Sequence, residues 1–84
     1  DPAAAKRLAA ARAVVAGLAE QHHMPTENLL QPDAVRRLTW EPPAEINEET
    51  VTARLRELGA REWQLSLTSH PITKALARLE TRDL

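Results

Sequence analysis

Three groups of side chains in this sequence are of the type and spacing that grip a polynucleotide. The first is Arg36, Arg37 and Trp40, within the stretch VRRLTWEPP that runs from Val35 to Pro43. On a helix Trp40 shares a side with Arg36, four residues before it. Arginines so placed could hold phosphates while the indole face stacks a splayed base. The competing reading, which we expect of Trp40, is packing: in a core without Phe or Tyr the ring folds inward against Pro42 and Pro43. For the arginine pair the alternative is a solvated or ion-paired face. The second group is Lys6, Arg7 and Arg12, which meet no acid between Asp1 and Glu20 and make a local basic surface. The third is Lys74 and Arg78, four apart on one outer helix face, where an ordinary solvated face is the expectation. By contrast, Arg54, Arg56 and Arg61 are interleaved with Glu48, Glu49, Glu57 and Glu62, a pattern of surface ion pairs rather than a phosphate track.

Other chemistries are sparse. Adjacent His22 and His23 point about 100° apart on a helix and do not chelate one ion together. His70 is remote, so no metal is expected. His22 continues an apolar stripe and is expected to be partly buried, with His23 exposed. Ser66 and Ser69 have no motif that would pair them with a histidine as nucleophiles. The absence of cysteine removes thiolate catalysis, disulfides and cysteine-based zinc sites. It is compatible with a cytoplasmic location, which is our expectation. No cofactor, membrane span or signal peptide is expected.

The elements that must position these residues are helical. The chain has 84 residues, 43% of them hydrophobic, which suits one small globular domain. At this size about two-thirds of the unfolded surface is buried. It opens at Asp1 without an initiator Met, which suggests a piece of a longer protein. Ala4, Leu8, Ala11, Val15 and Leu18 place a helix over residues 3–21, with Lys6 nearly opposite the stripe and Arg7 and Arg12 flanking it. Pro25 stops it, and Thr26 is expected to cap a very short helix carrying Leu29 and Leu30. Pro32 opens a third, with Ala34, Val35 and Leu38 inward, ended by Pro42 and Pro43. Asn47 caps a fourth, with Ile46 and Val51 as a hydrophobic staple and Gly59 as its left-handed stop. Trp63, Leu65 and Leu67 alternate like a strand, but a lone strand has no partner, so this segment is expected to be a helix or turn. Pro71 is expected in the first turn of a last helix over Ile72, Ala75, Leu76 and Leu79. The tail, residues 80–84, is expected to fray. The whole is an all-α, compact orthogonal bundle of five to six short helices, a single domain over 1–84 with its core in 4–79.

The order of these features resembles the HRDC domain, the "helicase and RNase D C-terminal" module. The match runs over about residues 6–79, through Leu8, Arg12, Pro25, Leu29, Leu30, Leu38, the Pro42–Pro43 break, Leu55 and Gly59. Within it, RRLTWEPPAE looks most like actinobacterial ribonuclease D-type exonucleases. Many members carry an aromatic–glycine pair entering the last helix, where this chain has Ser69, His70 and Pro71. The resemblance implies a helical bundle appended to a metal-dependent 3′ to 5′ exoribonuclease, helping it hold RNA or DNA. The enzyme's acidic active site belongs to another domain, so no catalytic residue transfers here.

Net charge is −1, which does not favour strong nonspecific polynucleotide binding. Binding therefore requires cations segregated on one face. We expect a monomeric, non-catalytic domain that adds weak RNA or single-stranded nucleic-acid contacts to a linked exonuclease. The residues expected to carry them are Arg36 and Arg37, then Arg7 and Arg12, then Lys74 and Arg78. The alternative is a module that docks on its own nuclease domain without touching nucleic acid.

Overall fold

A computed structural model describes residues 1–82. It contains five helices: α1 (Pro2–Gln21), α2 (Thr26–Leu29), α3 (Pro32–Trp40), α4 (Glu48–Glu57) and α5 (Glu62–Arg82). The all-α bundle is as expected, although α1 and α5 are long, at 20 and 21 residues. None of these helices is long and apolar enough to cross a membrane.

The caps follow from the sequence. The Asp1 side chain accepts from the Ala3 amide at the start of α1. Asn47 accepts from the Thr50 amide, and Thr50 Oγ1 accepts from the Asn47 amide, which closes a reciprocal cap on α4. Thr26, expected as the cap of α2, is instead its first residue, with Pro25 preceding it in extended backbone. α4 ends in paired hydrogen bonds, Gly59 N–H to Arg56 C=O and Ala60 N–H to Leu55 C=O, with Gly59 at φ +103°. α1 ends the same way. His23 donates to Glu20 and Met24 to Ala19, with His23 at φ +56° in the position Gly59 fills in α4. His22 is the C-cap and is exposed, which corrects the expectation that it continues the buried stripe.

Ala11, Val15 and Ala19 of α1 pack with Leu29, Leu30, Val35, Leu38, Val51, Leu55, Leu65, Ile72 and Leu76 in one core. α1 is central: it packs on α2, α3 and α5, while α4 packs on α3 and α5. Small alanines on α1 allow this close approach from several sides.

The last helix departs furthest from expectation. α5 runs unbroken from Glu62 to Arg82 with Pro71 inside it rather than at its start. Its inward face is Leu65, Thr68, Ser69, Ile72 and Leu76, a helical spacing that includes two hydroxyl residues. Thr68 Oγ1 donates to the Gln64 carbonyl at 2.7 Å, so its burial leaves no unpaired donor. Pro71 supplies no N–H to the Leu67 carbonyl, and Thr73 Oγ1 donates to Ser69 C=O two residues on. Of the tail expected to fray, residues 80–82 are the helical end of α5, and residues 83 and 84 lie outside the described residues.

Candidate nucleic-acid interface

α3 carries the expected arginine pair on its solvent side. Arg36 Nη2 lies 2.6 Å from Asp33 Oδ1, and Arg37 Nε lies 3.0 Å from Asp33 Oδ2. One carboxylate thus serves two guanidinium groups, leaving a surplus positive charge. The hydrogen bond from Arg36, aided by the charges of Arg37 and Arg36, holds the Asp33 carboxyl below the usual aspartate range. The spacing of Asp33 three and four residues before the arginines was the signal for this arrangement.

The two arginines nevertheless face different neighbours. At about 100° per residue, Arg36 stands beside Pro32 and Thr39, and Arg37 stands beside Ala34. Pro32 and Thr39 are on the α1 side: Pro32 lines a cleft with Arg12 and Val15, and Thr39 contacts Arg7. Ala34 lines a separate cleft with Leu58 and Gly59, at the end of α4. Arg36 therefore flanks the α1–α3 seam, and Arg37 flanks the opposite edge.

Arg7 has a structural partner. Its Nε donates to the Thr39 carbonyl at 2.7 Å, satisfying an orphan acceptor in the last turn of α3. The side chain is half-buried there. This contact, between residues far apart in the chain, ties the N-terminal half of α1 to the end of α3 where Trp40 sits. Thr39 is itself buried, its hydroxyl bonded to Val35 and Arg36 carbonyls.

Trp40 does not fold into the core. It is 47% exposed, which corrects the packing expectation. Leu38, Val35 and Ala34 fill the inner face of α3, and Trp40 is its last residue. Trp63, on the first turn of α5, is equally exposed and was not anticipated as a surface aromatic. Its place in an apparent alternation with Leu65 and Leu67 disguised it.

Arg12 is exposed and forms no ion pair among the described residues; it stands at the mouth of the α1–α2–α3 cleft. Lys6 is also exposed and borders a cleft with Arg7, Pro42, Pro43, Leu79 and Glu80. Lys74 and Arg78 share a shallow groove with Ala77 and Thr81 on the outer face of α5, lined by no residue of α1 or α3. The structure thus brings Arg7, Arg12, Arg36 and Trp40 to the same pair of helices and leaves Lys74 and Arg78 apart.

In the acid-rich region Arg54 and Arg56 are ion-paired, whereas Arg61 forms no ion pair among the described residues. Arg56 makes a two-pronged pair with Glu62, at 2.8 and 2.9 Å, and Arg54 lies 3.7 Å from Glu57. The Arg56 hydrogen bonds hold Glu62 below the usual glutamate range, and the same contacts raise Arg56. His70 Nδ1 lies 3.6 Å from Glu48 on the same side. No group of three or more metal-ligating side chains converges among the described residues.

Residues 1–76 match the family profile described as the 3′ to 5′ exonuclease C-terminal domain. No curated protein and no solved structure gives a significant match. The family match spans four of the five helices and most of α5, so the basic α1–α3 surface lies wholly within it. The chain belongs to the family of 3′ to 5′ exonuclease C-terminal domains.

Proposed function

We propose that this is an HRDC-like accessory domain of a ribonuclease D-type exoribonuclease, and that it contributes RNA contacts along the α1–α3 surface. The domain itself is non-catalytic; the hydrolytic chemistry belongs to the linked nuclease region, in the cytoplasm. The observation that carries this reading is the exposed Trp40 at the end of α3, with Arg36 one turn before it and the Arg7–Thr39 bond holding that end against α1. An indole held at a helix terminus offers a face to a single-stranded base, and arginines nearby offer donors to the adjoining phosphates. Base stacking of this kind contributes about 1–3 kcal/mol per base. Weak contact suffices because tethering to the nuclease gives a high effective concentration. Arg37 and Arg12 extend the cationic surface less directly, and Lys74 and Arg78 stand apart from it on α5.

A second reading, docking on the nuclease domain without nucleic acid, is favoured by the Asp33 bridge. It partly neutralises both Arg36 and Arg37 before any phosphate arrives. The two readings separate on Trp40 fluorescence. In a Trp63→Phe background, short single-stranded RNA at low salt should quench Trp40, and raising the salt should reverse it. An unchanged emission with RNA at low salt favours docking.

A further inference from the structure

The two sides of Trp40 carry opposite charge. Toward the start of α3 stand Arg36 and Arg37, with Arg12 across the seam on α1, against the single carboxylate of Asp33. On the other side the chain leaves α3 through Glu41, Pro42 and Pro43. Pro42 and Pro43 follow Leu38 and Thr39 by four residues and supply no N–H to those carbonyls. Arg7 answers Thr39, and the helix end keeps its partial negative charge. Glu41 is the C-cap there, its amide bonded to the Arg37 carbonyl at 3.0 Å and its side chain exposed. A carboxylate is the unfavourable choice at a helix C-terminus. Pro42 holds Glu41 out of helical backbone, at φ −128° and ψ 67°. The segment then lines a cleft with Lys6, Arg7 and Glu80, and Glu45 is exposed between two of its lining residues, Ala44 and Ile46. Glu41, Glu45 and Glu80 form no ion pair among the described residues. Beyond Trp40 these three carboxylates outnumber Lys6 and Arg7; before it, Arg12, Arg36 and Arg37 outnumber Asp33.

Granted RNA contact along the α1–α3 surface, we propose that Trp40 receives the terminal base of a single strand, not a base within one, and that Glu41 sets this preference. A base stacked on Trp40 places one neighbouring phosphate on the Arg36 side, where guanidinium donors meet it. An internal base has a second phosphate, and that one falls on the side of Glu41 and the α3 carbonyls. A carboxylate offers a phosphate repulsion and no donor. A terminal base ending in a free hydroxyl has no second phosphate, so it alone suits both sides of the ring.

The test compares one short single-stranded RNA in three forms: hydroxyl at both ends, phosphate at both ends, and closed into a flexible circle. Quenching of Trp40 in the Trp63→Phe background at low salt reads binding. Nonspecific attraction predicts tighter binding by the doubly phosphorylated strand, which carries more charge. A platform for strand ends predicts the reverse: the hydroxyl-ended strand should bind about three- to tenfold tighter than either other form. Glu41→Gln should raise the affinity of the phosphorylated and circular strands and bring the ratio within about twofold. Glu41 is exposed, and a thermal unfolding midpoint no lower than that of the parent protein shows the variant to be folded. Equal binding of the three forms by the parent protein overturns the end preference and leaves RNA contact standing. A ratio unmoved by Glu41→Gln overturns the role of Glu41. Absence of quenching by all three forms overturns the end preference together with the RNA contact on which it rests.

Discussion

The α1–α3 and α4–α5 regions use the same residue types to opposite ends. In α4 and the first turn of α5, Arg54 and Arg56 each meet a carboxylate of their own, Glu57 and Glu62. Within α1 and α3, five cations, Lys6, Arg7, Arg12, Arg36 and Arg37, share their helices with two acids, Glu20 and Asp33. One of these acids, Asp33, is shared between two arginines, and Arg7 is bound to a backbone carbonyl that carries no formal charge. A net charge near zero therefore hides a division between helices. Overall charge is a poor guide to binding in a chain this short, and the pairing of each cation is a better one.

The comparison can be broken first at Arg7. Its bond to Thr39 is part-buried and charge-assisted, whereas Arg12 has no such partner. Arg7→Met should lower unfolding stability by about 1–2 kcal/mol in urea denaturation. Arg12→Met should change it by less than about 0.5 kcal/mol. Equal effects would mean that Arg7 does not hold α3 against α1.

Asp33 offers a sharper test of the charge difference. Asp33→Asn frees two guanidinium groups and should strengthen single-stranded RNA binding about two- to fivefold. Glu62→Gln frees Arg56 but should leave RNA affinity within twofold, since that arginine lies away from the α1–α3 surface. Fluorescence anisotropy with a labelled oligonucleotide measures both. Matching gains from the two variants would remove the distinction between the regions.

The smallest effect is on acid titration. Asp33 titrates below an unfolded aspartate, so its contribution to stability is present above the unfolded pKa and fades as pH falls through the folded one. Arg36→Gln should move the Asp33 carboxyl titration upward, toward the ordinary range, when followed by carbon-detected NMR. Arg54→Gln should leave it in place. An unmoved Asp33 in the Arg36 variant would show that the short pairing on α3 does not persist in solution.

How much of this the sequence revealed depends on which residues carried the signal. α1, α3 and α4 were readable because Ala, Val and Leu mark their inner faces and because Asn47 and Gly59 mark the ends of α4. α5 was obscured because Thr68 and Ser69 occupy buried positions of its inner face and do not count as apolar in a periodicity. Pro71 then read as a start, although the packed helix continues through it. At the candidate site the cations themselves were readable. Their pairing was not, since the Arg7–Thr39 bond joins positions 32 residues apart and depends on how α1 crosses α3. Trp40 was misjudged from the shortage of other aromatics; aliphatic residues fill the core without it.

The central proposal is that RNA contact is confined to the α1–α3 surface. Amide shift mapping of the domain with short single-stranded RNA, at low and then moderate salt, tests it most directly. We expect shifts centred on Arg36 to Trp40 and on Arg7 to Arg12, with affinity falling steeply as salt rises. Shifts spread equally over α4, or none at low salt, would contradict it.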